Sequence, residues 1–122
     1  MSIPFVLDEN CRGPLWQAIQ SHKGRGIDLI DAVQVGAPVD LPLTSPDPVI
    51  LAWAERTGRI LITFDEKTMP RHWLAHIGSG CHSPGVLILR RRIPLPEIVE
   101  NMAILAHASH PGEWSNRLEY FP

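Results

Sequence analysis

Three aspartates stand where a folded chain could bring them together. Asp8 ends the apolar run Ile3–Leu7, and Asp65 ends the run Arg59–Phe64. Asp47 opens a stretch that reads as a helix leading into that second run. Glu9 and Glu66 lie beside two of them. Carboxylates held close together repel, and each raises its neighbour's pKa. A hard divalent cation removes that cost. Magnesium takes oxygen ligands and keeps several waters, so two or three carboxylates suffice. Such an ion could activate water and offset charge on a phosphodiester in transfer. Asp8, Asp47 and Asp65 are therefore the candidate catalytic and metal-holding acids, with Glu9 a fourth metal candidate. Each also has a plainer reading. Asp47 could satisfy a helix dipole, and Asp65 or Asp8 could cap the helix that follows it.

The elements around these acids must place them at one edge. Runs that are apolar on both faces, such as Ile3–Leu7 and Gly85–Leu89, fit parallel strands covered on both sides. A helix is expected over 13–23, with Pro14 suited to a first turn and Leu15, Trp16 and Ile19 at helical spacing. Gly24 and Gly26 would end it. A short second strand is expected at Ile27–Ile30, continuing raggedly through Val33 and Val35, and residues 36–46 read as loop. Ser45 as N-cap and Pro46 as first residue would start the next helix, and Gly58 would close it. After Asp65, residues 66–77 read as partly helical, with Pro70 near the start. Pro94 or Pro96 opens the last long helix, which buries Ile98, Val99, Met102, Leu105 and Ala106. Leu118–Phe121 would be an edge strand. Alternation of this kind predicts an α/β fold: a three-layer α-β-α sandwich with a mostly parallel central sheet. Sites in such folds form beyond the carboxyl ends of strands, where Asp8, Glu9 and Asp65 stand.

The chain of 122 residues reads as a single domain over 1–122, long enough to bury a core without staples. Its 44% apolar and 20% charged content marks it as globular rather than disordered. A net charge of −2 gives no global attraction to nucleic acid, so such contact would have to be local. No run approaches the roughly 18 apolar residues of a membrane span, and no basic-then-apolar leader opens the chain. A cytoplasmic address and no membrane partner are expected. Cys11 and Cys81 are expected to be free thiols in that compartment.

The segments holding the acids also carry a resemblance. Leu7-Asp8-Glu9-Asn10, then Asp47-Pro-Val-Ile-Leu-Ala-Trp-Ala, then Gly58-Arg-Ile-Leu-Ile-Thr63-Phe-Asp65, are similar in order and spacing to the acidic segments of the PIN-like domain family. The likeness is nearest to its short, toxin-like ribonuclease branch and runs through Pro84-Gly85-Val-Leu-Ile-Leu and the last helix. It implies a Mg2+- or Mn2+-dependent endoribonuclease acting on RNA, in which Asp8, Asp47 and Asp65 correspond to three of the usual acids. It also implies a toxin–antitoxin setting, with a small antitoxin protein as partner. The sequence departs from the pattern twice. Residues 13–46 offer no Glu for the early helix, for which Glu9 is the available stand-in, and Lys67 occupies a place often acidic.

Other residues have readings of their own. Thr63 precedes Asp65 by two and shares its side of the strand, so its hydroxyl could orient a carboxylate, contact phosphate or simply fill a strand. Asn10 could hold a metal-bound water or cap a turn. Lys67, Arg71 and His72 could form a basic rim for RNA phosphates, as could Arg90-Arg91-Arg92, or they could be solvated surface. Asn10, Thr63, Lys67 and Arg71 are the candidate substrate-binding residues. His72 and His76 have the spacing of helical zinc ligands but lack the Glu of a His-Glu-x-x-His site. Two other classes compete with the nuclease: a non-catalytic interaction module of the same fold, and a phosphoacceptor domain. The latter needs a hydroxyl residue at the fourth strand's end, where Leu89-Arg90 stands. Homodimer formation is open.

Overall fold

A computed structural model describes residues 2–23 and 29–122. Five strands alternate with four helices. They are β1 (Phe5–Leu7), α1 (Pro14–Lys23), β2 (Ala32–Gln34), α2 (Asp47–Thr57), β3 (Ile60–Thr63), α3 (Met69–Gly78), β4 (Val86–Leu89), α4 (Leu95–Ala108) and β5 (Leu118–Phe121). The strands form one sheet in the order β2-β1-β3-β4-β5, and every pairing is parallel. No helix among the described residues is long and apolar enough to cross a membrane.

The strands are apolar on both faces because both faces are covered. Side chains alternate across a strand, so each strand splits between two cores. Phe5, Leu7, Ile60, Ile62, Leu87 and Leu89 pack with Leu15 and Ile19 of α1 and Ile98, Val99 and Met102 of α4. Val6, Leu61, Val86 and Ile88 pack with Ile50, Leu51, Trp53 and Ala54 of α2 and Met69 of α3. Burying one such Ile or Leu side chain contributes about 1.5–3 kcal/mol. This is the three-layer α/β/α arrangement expected from the alternation.

Parity and register together place the acids. Asp8 follows Leu7 and Thr63 follows Ile62, so both fall in step with Val6 and Leu61, on the α2–α3 side. Leu7 pairs with Ile62. The Asp8 amide continues that ladder by donating to the Ile62 carbonyl at 2.9 Å. Asp8 and Thr63 thus meet at the carboxyl edge. β2 and β3 flank β1 on opposite sides, so the edge between β1 and β3 is where the order of strands reverses. Crevices open at such points in parallel sheets.

Two boundaries differ from expectation. Among the described residues the second strand is Ala32–Gln34, within the expected continuation through Val33 and Val35, and Leu29 and Ile30 are not strand; Phe5 pairs with Ala32, and the Phe5 amide donates to the Asp31 carbonyl at 2.8 Å. Residues 24–28, including Gly24, Gly26 and the first half of Ile27–Ile30, lie outside the described residues. Ser45 does not cap α2. Its hydroxyl turns back to the Pro42 carbonyl at 2.5 Å, and Pro46, with ψ 154°, is the flanking residue. With Pro at 46 and 48, the helix starts from restricted backbone at Asp47 rather than from a side-chain cap. Gly58 closes α2 at φ 69°, a conformation that suits glycine.

Candidate metal centre

Three segments bring acids to one rim. Asp8 leaves the end of β1, Asp65 follows β3, and Asp47 is the first residue of α2. Hydroxyls tie them together. The Thr63 hydroxyl donates to Asp8 Oδ2 at 2.8 Å and accepts from the Asp65 amide at 3.1 Å and from Asn10 Nδ2 at 3.2 Å. Its one hydrogen and two lone pairs are all used. Thr63 is 0% exposed. Of the roles open to it, the contacts match that of orienting a carboxylate.

The Thr68 hydroxyl joins the other two acids. It lies 3.4 Å from Asp47 Oδ2 and also contacts Asp65 Oδ2. One hydroxyl hydrogen faces two carboxylates there. Asp65 Oδ1 accepts from the Lys67 and Thr68 amides at 2.9 and 2.8 Å, which folds the turn before α3. Asp8 Oδ1 accepts from the Glu9 amide at 2.7 Å and so caps the single 3-10 turn Glu9–Cys11. Asp8 and Asp65 thus cap short turns rather than the helices α1 and α3, whose capping was the plainer reading; the residue flanking α3 is Thr68.

The carboxylates feel one another. Burial pushes the pKa of Asp8 up, against the Thr63 hydroxyl and the Glu9 amide that stabilise its anion; the charges of Asp47 and Asp65 push it further up. Burial also raises Asp47; His72 lowers it, Asp65 raises it and Thr68 lowers it, with a net upward shift. For Asp65 the largest influence is again burial, but the Thr68 hydroxyl and the amides of Thr68, Lys67 and Met69 outweigh it and hold the acid below the ordinary range. Burial of a carboxylate without a counter-ion is costly, and a cation would offset that cost.

The donor set fits a hard divalent cation, since every candidate atom is a carboxylate oxygen. The spacing is loose. Among the described residues, the only His/Cys/Asp/Glu trio with one ligand atom each within 4.8 Å of the others is Glu55, His76 and Cys81. An ion at the acidic rim would need the three side chains to draw inward, or one to reach it through a retained water.

The remaining candidates are distributed as follows. Glu9 is exposed, and its Oε1 accepts from the Thr44 amide at 2.6 Å, so its visible contact is with the loop before α2. Asn10 is part of the rim; its Oδ1 accepts from the Phe64 amide at 3.2 Å. Cys11 is a buried free thiol beneath it, with Sγ 3.3 Å from Asn10 Oδ1. Lys67 helps line an open cavity of about 510 Å³ with Asn10, Phe64, Asp65, Glu66 and Arg91. Arg71 is exposed on α3 and does not line that cavity. His72 Nε2 stands 3.8 Å from Asp47 Oδ2. Arg12 is drawn off to the Val35 carbonyl at 2.7 Å.

A second cavity of about 320 Å³ adjoins the first through Phe64, Glu66 and Arg91, and adds Leu89, Arg90, Arg92 and Tyr120. The Arg91 guanidinium sits over the Phe64 ring at 5.0 Å and that of Arg90 over Tyr120 at 5.3 Å. Thr68, Phe64 and Tyr120 were not anticipated as site residues. The spacing Asp65-x-x-Thr68 before a helix was the available signal for Thr68. Tyr120 had none, because only the β4–β5 pairing brings it beside Arg90.

No protein-family model matches the chain, and no curated protein or solved structure matches it either.

Proposed function

We propose that the chain is a Mg2+- or Mn2+-dependent endoribonuclease of PIN-like type, with Asp8, Asp47 and Asp65 holding the ion. The observation that carries this reading is the linkage of three acids from separate segments through two threonine hydroxyls at the strand-order reversal. When bound, the ion supplies Lewis acidity and a more acidic water. Thr63 keeps Asp8 and the Asp65 backbone in position. Asn10, on the same hydroxyl, borders the open cavity where substrate would lie. Lys67 and Arg91 offer local cations to RNA phosphates, which a net charge of −2 otherwise repels. Phe64 and Tyr120 offer rings on which unpaired bases can stack. A small antitoxin protein covering this rim, and a cytoplasmic setting, belong to the same proposal.

One observation favours a second reading, a non-catalytic module of the same fold. Glu9, the only substitute for the missing early-helix Glu, contacts the Thr44 amide. The two readings separate in an RNA cleavage assay with Mg2+ or Mn2+. The nuclease reading expects cleavage by the wild type that is lost in Asp8→Asn and in Asp65→Asn. Cleavage surviving both substitutions would remove the assigned site, and none on varied RNAs with either metal would favour the module.

A further inference from the structure

At the other end of α2 and α3, away from the acidic rim, lies a different set of donors. One carboxylate oxygen of Glu55, one ring nitrogen of His76 and Cys81 Sγ lie within 4.8 Å of one another. Glu55 is in the last turns of α2, His76 is near the end of α3, and Cys81 follows α3 by three residues.

The helix ending explains why they meet. Ser79 flanks α3, and Gly80 takes φ 88°. The Gly80 amide donates to the Ile77 carbonyl at 3.0 Å and the Cys81 amide to the His76 carbonyl at 3.2 Å. This pair of bonds is a Schellman ending, which folds the second residue past the cap back over the last full turn. In many helices an apolar contact forms between those two places. Here they hold a thiol and an imidazole.

The neighbours prepare the donors. Glu55 Oε2 accepts from the His82 amide at 3.2 Å, which leaves Oε1 facing His76 Nε2 at 3.0 Å. The His82 carbonyl lies 2.9 Å from the same Nε2. That nitrogen can hold at most one hydrogen, yet a carboxylate oxygen and a carbonyl oxygen both crowd it. The His76 side chain is only 9% exposed. The Ser79 hydroxyl donates to the His76 carbonyl at 2.8 Å and lies 3.5 Å from Cys81 Sγ, at the edge of hydrogen-bond reach. Outer contacts of this kind orient metal ligands.

We propose that Glu55, His76 and Cys81 form a binding site for a borderline-soft divalent cation of the Zn2+ class. A mixed sulfur, nitrogen and oxygen set selects such an ion over Mg2+. Three protein ligands leave the fourth tetrahedral position to water. Binding breaks the Cys81 S–H bond, forms the metal–sulfur bond and releases the proton to solvent, with no change of oxidation state. The ion clamps the start of the α3–β4 connection onto α2. The proposal is independent of the nuclease reading.

The test is Co2+ titration of the intact protein, followed by absorbance. The expected result is a thiolate-to-cobalt charge-transfer band in the near ultraviolet, with visible bands of tetrahedral intensity, displaced by Zn2+. Cys81→Ser should abolish the charge-transfer band, and Cys11→Ser and Asp65→Asn should retain it. Loss of the His76 ligand in His76→Ala should weaken binding by more than about 100-fold, beyond the range carried by outer contacts alone. Circular dichroism establishes that each variant is folded; since Cys81 is exposed, Cys81→Ser should be. No charge-transfer band in the wild type, a band that survives Cys81→Ser, or a band lost in Cys11→Ser would each overturn the proposal.

Discussion

The two ends of the α2–α3 pair differ in the chemistry they gather. At the rim, α2 begins with Asp47 and faces Thr68 and His72. At the far end, α2 offers Glu55 to His76 and Cys81. His72 and His76 share one face of α3, four residues apart, and each takes a different acid of α2. The rim donors are oxygens alone, from three chain segments, and rather loosely spaced. The far donors are mixed and close, and one helix ending sets two of them, His76 and Cys81, against Glu55 of α2. Oxygen-only sites suit hard cations that keep water, and mixed sites suit softer ones. Looser spacing is tolerable at the first and not at the second.

The largest expected effect is on RNA cleavage. Asp8→Asn and Asp65→Asn should each lower kcat by on the order of 100-fold or more, the scale of removing one preorganised electrostatic group. Glu55→Gln, at the other end, should leave cleavage nearly unchanged; an equal loss there would abolish the distinction between the ends.

Next comes Ile62→Ala. Ile62 is fully buried and pairs with Leu7, so the change should cost about 2–5 kcal/mol in urea denaturation. Thr63→Val keeps the shape but removes a hydroxyl with three partners. It should cost about 1–3 kcal/mol and loosen Asp8, lowering metal affinity along with stability. Unchanged affinity would mean that Thr63 does not orient the acid.

The smallest effect has the opposite sign. Asp47→Asn removes a carboxylate whose charge is opposed chiefly by burial and, after the offsetting His72, by Asp65, and should slightly stabilise the metal-free protein at neutral pH, by up to about 1 kcal/mol after solvent screening. The pH dependence follows from the same groups. Asp8 and Asp47 have raised pKa values, so the folded chain keeps protons that the unfolded chain has released. Stability should therefore fall as pH rises from the ordinary carboxylate range through their raised values. Asp65, held low, works the other way and loses its contribution as pH falls through its depressed value. Denaturation midpoints across pH, with and without Mg2+, check both signs; the ion should lessen the loss at higher pH.

Much of the scaffold was legible in the chain because β3 and β4 are buried on both faces and leave unbroken apolar runs. Gly58 marked the end of α2 because glycine adopts its φ of 69° at the least cost. β2 was legible only as a ragged continuation through Val33 and Val35, because it is a short edge strand whose Gln34 breaks the apolar pattern. The start of α2 was misread because two prolines, not Ser45, set it. At the site, Asp8, Asp47 and Asp65 were readable from their places at strand ends and a helix start. Thr68 and Tyr120 were not, because their relevance depends on which elements lie side by side. The nearness of Cys81 to Glu55 is hidden for the same reason, although Gly80 one residue earlier hinted at the turn.

On the proposed reading, three chain-distant carboxylates share one hard divalent ion. Crystals grown or soaked with Mn2+ and measured near its absorption edge test it most directly. The account predicts an anomalous peak bounded by Asp8, Asp47 and Asp65, with waters completing the shell. Manganese-loaded crystals in which that position is empty and the three side chains stay apart would contradict it.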